Sequence, residues 1–277
     1  QKLFAWISAV LFGIYPAFTN LPNALDFQAH IISLTVIIFS IFLSILVIKI
    51  KSILLKIILT LAAVSLSFLG YLGMEYYIGM EGLRIFLIWY FCYPNELKKI
   101  NSRMANLLKL YWPYFLTSMG FLLWRMLFFQ NARYSTNIEG MFESYASNLV
   151  LRLAHNFSDL MNGLINTSFL AWGVPFYTLT ANLRLREWLL AFMVGITASV
   201  VTGLFLWLKR NEDYVYDAEK QSPNWARDAF IIGVFSVGTA LIPIIFGERA
   251  ADIPSRFTLP AAMGGVLMLA GVLFSAV

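Results

Sequence analysis

Apolar runs alternate with short polar segments along the whole chain. The long runs lie at 3–18, 31–48, 53–74, 111–129, 188–208, 229–246 and 258–277. A continuous apolar stretch of about 18 residues or more can cross the hydrocarbon core of a bilayer as a helix. A shorter run, 85–93, stops at Pro94. Because the runs are continuous rather than alternating, they favour helices over a β-barrel. The pattern predicts an all-α fold, a polytopic transmembrane helical bundle of eight or nine spans.

The composition agrees with this prediction. The 277 residues are 60% hydrophobic and 13% charged, whereas a soluble domain is about 45–50% apolar and about 25% charged. The net charge of +5 does not indicate nucleic acid, because the basic residues gather in short loops, as topology signals and lipid head-group contacts do. We therefore expect membrane lipids as partners. The single cysteine, Cys92, excludes a disulfide within the chain.

The polar segments contain no Gly/Ser linker or low-complexity tract that would separate a second domain. We therefore expect one integral membrane domain over 1–277, in the inner (plasma) membrane of a bacterium. The chain begins with Gln1 rather than Met, and we expect that an N-terminal portion is missing.

Basic residues orient the first half of the chain, because cytoplasmic loops carry an excess of Lys and Arg. The segments placed in the cytoplasm by this rule are Lys2, 49–56 and 95–109. The segments placed outside are 19–30, 75–84 and 130–160. In the second half, the numbers of Lys and Arg in the loops on the two sides are nearly equal. The orientation of that half therefore depends on whether 163–181 spans the membrane.

The segment 140–182 is too polar for a free-standing span, and it contains Asn166, Gly173, Pro175 and Asn182. Upstream, apolar residues recur at near-helical spacing, at Met141, Tyr145, Leu149, Leu153 and Phe157. Charged and polar residues lie between them, which is typical of an amphipathic helix in a membrane interface. We interpret 140–182 as an external, interfacial or re-entrant segment, which places 209–228 in the cytoplasm and 247–257 outside.

The external stretch "GERAADIPSRFTLP" carries two candidate phosphate ligands, Arg249 and Arg256. Guanidinium groups at a membrane surface suit a lipid-linked phosphate or diphosphate. The alternative is a loop salt bridge with Glu248 or Asp252, next to prolines that shape the start of a helix.

Arg125 lies near the external end of the run 111–129 and is the third candidate phosphate ligand. A charge at this depth must reach the interface or find a partner. A salt bridge with Glu75 or Glu81 would make Arg125 a structural residue. These two glutamates are also candidates for acid–base chemistry, although two acids in a short external turn are more often solvated.

Asp26 is the third acid–base candidate, four residues before His30 on one helix face. An Asp–His pair can orient a general base or a metal ligand, but a helix cap is the more frequent role of such a residue. The chain contains two histidines and no metal, nucleotide or nucleophile motif. We expect neither a metal nor a cofactor.

Three stretches carry a family resemblance: "LFGIYPAFTNLPNALDFQAH", "YWPYFLTSMGFLLWRMLFF" and "SRFTLPAAMGGVLMLAGVL". In their order they resemble the C-terminal part of uncharacterised bacterial polytopic membrane proteins. Those proteins resemble GT-C glycosyltransferases, membrane enzymes that use polyprenyl-phosphate sugars. The resemblance implies a helical bundle that binds a lipid-linked sugar at its external face, with a polyprenyl-phosphate carrier as partner. GT-C enzymes place a catalytic acid in the first external loop, where this chain offers only Asp26, so no catalytic residue is carried over.

Two other functions remain open. A non-catalytic subunit of a larger membrane assembly would present apolar faces to other membrane protein subunits. A transporter would need polar groups along a path through the membrane, and the apolar runs predict almost nothing polar at that depth.

Overall fold

The computed structural model describes the ranges 2–15, 24–92, 100–128, 145–146, 148–173, 185–210, 225–247 and 256–275. These residues are helical apart from short connections, and no strand occurs among them. The predicted all-α class is therefore confirmed. The α-helices are α1 Lys2–Gly13, α2 Ala24–Lys49, α3 Ile53–Gly73, α4 Glu81–Cys92, α5 Ile100–Leu127, α6 Leu149–Ile165, α7 Leu185–Arg210, α8 Trp225–Phe246 and α9 Leu259–Ser275.

Four helical segments in the described ranges are long and apolar enough to cross a membrane. They are Gln28–Lys49, Ile53–Gly73, Trp225–Phe246 and Arg256–Ser275. These segments indicate an integral membrane protein with several spans. Each lies within a few residues of a predicted run, because a long apolar stretch has no way to satisfy its backbone in lipid other than as a helix.

The hairpin of α2 and α3 buries one stripe of α2 and exposes the opposite one. Leu34, Ile37 and Ile41 recur at helical spacing in the core, whereas Phe39 and Phe42 are exposed. Gly70 of α3 lies against Ile37 so closely that an added Cβ would overlap its side chain. The exposed stripe is a surface suited to lipid.

Helices α8 and α9 form the most extensive helix pair in the described part of the chain. Small residues bring their backbones together. A Cβ added to Gly264 would lie 2.8 Å from the Val237 nitrogen and 2.9 Å from the Gly233 oxygen. Such close packing at glycine is typical of membrane helices.

The chain between α3 and α4 differs from the predicted external turn. A 3-10 helix, Glu75–Met80, buries Tyr77 and Met80 and leads directly into α4. Gly79 permits this path, because a Cβ there would lie 2.6 Å from the Thr239 carbonyl oxygen of α8. The 3-10 helix rises about 2.0 Å per residue and α4 about 1.5 Å per residue, so their lengths add up to about 30 Å.

This path explains how the short run 85–93 is accommodated. Helix α4 alone has 12 residues, or about 18 Å, which is too short for a membrane crossing. The ammonium of Lys49, the last residue of α2, lies 5.4 Å from the ring centroid of Phe91 near the end of α4. Since α4 follows the 3-10 helix that starts at the end of α3, the two elements together reach from one end of the α2–α3 hairpin to the other.

Helix α6 is amphipathic, as predicted for 140–182. Leu160 and Leu164 pack against α8, whereas Val150 and Phe157 are exposed. A π-helical turn, Asn166–Leu170, follows and packs on α9. The Tyr15 hydroxyl, just after α1, donates to the Thr167 carbonyl oxygen at 3.0 Å. These contacts fix the end of α6 to the bundle.

Candidate functional site

Tyrosines of the 3-10 helix organise the end of the bundle where α2 and α9 begin. The Tyr77 hydroxyl donates to the His30 carbonyl oxygen at 3.1 Å. The Tyr76 hydroxyl is hydrogen-bonded to Nδ1 of His30, whose side chain is buried. The Tyr76 ring also meets Phe257 at the start of the last helix, with 5.5 Å between ring centroids. We call His30, Tyr76, Tyr77 and Phe257 the aromatic end cluster.

Arg256 lies on this cluster and is exposed. Its guanidinium carbon is 5.4 Å from the Phe257 ring centroid. The Tyr76 phenol lies close to this positive charge.

Arg256 forms no salt bridge with any carboxylate of the described residues. Glu248, Arg249 and Asp252, the other charged residues of the predicted phosphate-binding stretch, lie outside the described ranges. An exposed guanidinium fixed on an aromatic surface presents its donors to an anion that arrives at this end of the bundle.

Arg125 and Glu75 form an ion pair through Nε and Oε2. The exposed fractions of their side chains are 17% and 46%. Glu75 directly precedes Tyr76, so this pair lies at the same end as Arg256. The Arg125 charge is balanced by a carboxylate, which was the structural alternative to phosphate binding. Asp26 falls in the first turn of α2, and its side chain lies outside the described residues.

Glu81 is buried rather than solvated. Its Oε1 is 3.1 Å from Nη2 of Arg84, one turn later on α4, and Arg84 has an exposed fraction of 0%. The Tyr71 hydroxyl of α3 donates to the same Oε1 at 2.5 Å and lies 3.3 Å from Ser118 Oγ of α5. The second acid of the predicted external turn therefore belongs to a charge network inside the bundle.

Arg84 connects four helices. Its Nη2 donates to Ser40 Oγ of α2 at 2.9 Å and to Ser67 Oγ of α3 at 2.7 Å. Its guanidinium carbon lies 4.2 Å from the Tyr114 ring centroid of α5. Ser67 is six residues, or about 9 Å, inside the end of its span at Gly73. The guanidinium therefore meets α3 at a position inside that candidate span.

The apolar runs taken singly did not predict this network. Ser40 and Ser67 are weakly polar residues within those runs, and Arg84 was assigned to a turn. The detectable signal was the spacing of Glu81 and Arg84, three residues apart at the start of an apolar run. That spacing places both side chains on one helix face.

Within the described ranges, no three His, Cys, Asp or Glu side chains lie together as a metal site would require. Comparisons of the chain with protein-family models, with curated proteins and with solved structures gave no match. The function must therefore be inferred from the chain's own residues.

Proposed function

We propose that the protein is a multi-pass membrane enzyme that resembles a GT-C-type glycosyltransferase and binds a polyprenyl-phosphate sugar at its external end. The observation that carries this proposal is Arg256, an exposed guanidinium without a described carboxylate partner, held on the aromatic end cluster. It has the charge and the donors that a phosphate requires. The Phe257 ring offers an apolar contact to the chain of the carrier.

The proposed reaction uses this charge directly. An acceptor hydroxyl attacks the anomeric carbon of the sugar and gives its proton to a base. The bond between that carbon and the phosphate oxygen breaks, and the phosphate leaves with the electron pair. Arg256, with Arg249 seven residues earlier in the chain, stabilises the negative charge that grows on the leaving phosphate.

The three candidate acids do not contribute equally to this proposal. Glu75 is held by Arg125, and Glu81 is held by Arg84 inside the bundle. Asp26 therefore remains the candidate for the base, and it lies one turn before His30 of the aromatic end cluster. Arg125 keeps a positioning role through Glu75 and the adjacent Tyr76.

The proposal includes the finer features of the architecture. With the shorter segments counted, the bundle has eight or nine spans. The aromatic end cluster and 140–182 lie on the external side of a bacterial inner membrane. The 3-10 helix and α4 serve together as one crossing, which is supported by the contact between Phe91 and Lys49 at the opposite end.

Thermal unfolding of the purified protein in uncharged detergent tests the binding step. We expect a polyprenyl phosphate to raise the unfolding midpoint, whereas the neutral polyprenol does not. At a concentration of about 100 times Kd, a ligand adds about 2.7 kcal/mol of stability. Arg256→Ala should abolish the effect, and Arg186→Ala, which removes another exposed arginine, should retain it. Equal stabilisation by phosphate and alcohol would contradict the proposal.

A further inference from the structure

The network around Arg84 contains a charged pair whose polar atoms are only partly satisfied. Nη2 of Arg84 meets three oxygens, those of Ser40, Ser67 and Glu81. Its Nε and Nη1 and the second Glu81 oxygen, Oε2, are buried and have no hydrogen-bond partner. A guanidinium has five N–H donors, so a large part of its capacity is unused here.

Stability alone does not account for a charged pair at this depth. Well-packed apolar residues often replace a buried ion pair without loss of stability. Ionisable residues within membrane spans usually mark a site that binds or moves charge. The unpartnered N–H donors of Arg84 indicate that this charge is negative, because only a hydrogen-bond acceptor can satisfy them.

The position of Glu81 determines how an anion would bind. A planar oxyanion binds a guanidinium through two parallel N–H bonds, and both two-point edges of the group include Nη2. Nη2 is shared among Glu81, Ser40 and Ser67. When Glu81 takes up a proton, its attraction to Arg84 falls, and an anion can take the place of its carboxylate beside Nη2 while it accepts from an adjacent unpartnered N–H. One proton and one monovalent anion enter together, so the net charge of the buried site does not change.

We propose that Arg84 and Glu81 form an internal binding site for a small carboxylate-type oxyanion, which replaces Glu81 on Arg84 when Glu81 is protonated. The titratable side chains that face the pair are Tyr71 of α3 and Tyr111 and Tyr114 of α5. Helices α2 and α8 present Ser40 and Phe235 to α4. The site is independent of Arg256 and of the proposed transferase activity.

Nitrate is a suitable probe, because it is planar, monovalent and does not titrate in the range where proteins are stable. Calorimetric titration of the whole protein in uncharged detergent should show nitrate binding that strengthens as the pH falls. One proton taken up per anion gives about a tenfold change in affinity per pH unit while Glu81 is ionised. Chloride, which cannot bind at two points, should bind more weakly.

Variants separate this site from general anion binding. Glu81→Gln mimics the protonated acid and should bind nitrate with little pH dependence, whereas Arg84→Lys should lose binding. Glu75→Gln alters the other Arg–Glu pair and should behave as the wild type. Nitrate affinity that does not change with pH in the wild type, or that is unaltered by Glu81→Gln, would overturn the proposal.

Tyr71→Phe provides a test that does not disturb the charged pair itself. The Tyr71 hydroxyl stabilises the ionised form of Glu81 by donating to Oε1. Its removal favours protonation, so nitrate binding should begin at a higher pH than in the wild type. If Arg84→Lys or Glu81→Gln does not fold, the pH shift in Tyr71→Phe still tests the proposal. No shift, or a shift to lower pH, would contradict the replacement of Glu81 by an anion.

Discussion

Arg84 and Arg125 each pair with a glutamate, and the two pairs differ in their surroundings. The first has side chains exposed by 0% and 7%, and the second by 17% and 46%. Water screens the attraction within an exposed ion pair, and it solvates the charge that remains when one partner is removed. A buried charge that loses its partner has no water to replace it. The same chemistry therefore has different consequences at the two positions.

Substitution of one member of each pair should reveal this difference. Arg84→Ala leaves Glu81 buried without its counter-charge and should lower the free energy of unfolding by about 3–5 kcal/mol. Arg125→Ala should lower it by about 0–1 kcal/mol. Denaturant titration of the two variants in the same detergent measures both values. Equal losses would show that the Arg84 network is not the buried element described above.

Sequence reasoning identified Arg256, Arg125 and Glu75 as candidates, because charges at the ends of apolar runs stand out. It did not foresee that Glu81 would be buried. The segment "EYYIGMEGLR" contains two glycines and three charges, a composition typical of a turn. Its true path depends on Thr239 of α8, more than 150 positions away, against which Gly79 and Gly82 pack. No local pattern contains that information.

Whole helices were predicted more reliably than connections. The spans follow from unbroken apolar runs, each long enough to form a helix across the hydrocarbon core. The 3-10 helix before α4 and the π-helical turn after α6 were not predicted. Both depend on packing against other helices, so their positions are set by tertiary contacts rather than by local periodicity.

Two glycines test the α8–α9 contact. Gly264→Ala adds a methyl group against the backbone of α8 and should destabilise the protein by about 1–3 kcal/mol. Gly238 of α8 has no atom within 4 Å of an added Cβ. Gly238→Ala should therefore be neutral or stabilising by about 0.5–1 kcal/mol, since alanine is the better helix former. The unfolding midpoints of the two variants, each compared with that of the wild type, test the close contact between α8 and α9. Equal midpoints for the two variants would contradict it.

For the molecule as a whole, the two ends of the bundle differ in chemistry. One end carries the aromatic end cluster, Arg256 and the Arg125–Glu75 pair, and the other carries Lys49 and Lys51. The excess of basic residues at the second end favours the cytoplasm for it. A site for a lipid-linked phosphate would then face outward.

Cysteine labelling tests this orientation in a Cys92→Ser background. Ser52 lies between α2 and α3, Asn148 precedes α6, and both are exposed. In right-side-out vesicles, a membrane-impermeant maleimide should modify Asn148→Cys and leave Ser52→Cys unmodified, and in inverted vesicles the result should be reversed. Labelling of both positions from the same side would mean that α4 and the 3-10 helix do not make a crossing.

The central claim is that the external end of this bundle binds a lipid-linked phosphate through Arg256. Native mass spectrometry of the protein, extracted gently from its own membrane, tests it most directly. We predict a lone chain that carries a polyprenyl-phosphate mass, which is lost in Arg256→Ala and kept in Arg186→Ala. A stable complex with other membrane proteins and no carrier lipid would contradict the claim and indicate a non-catalytic subunit.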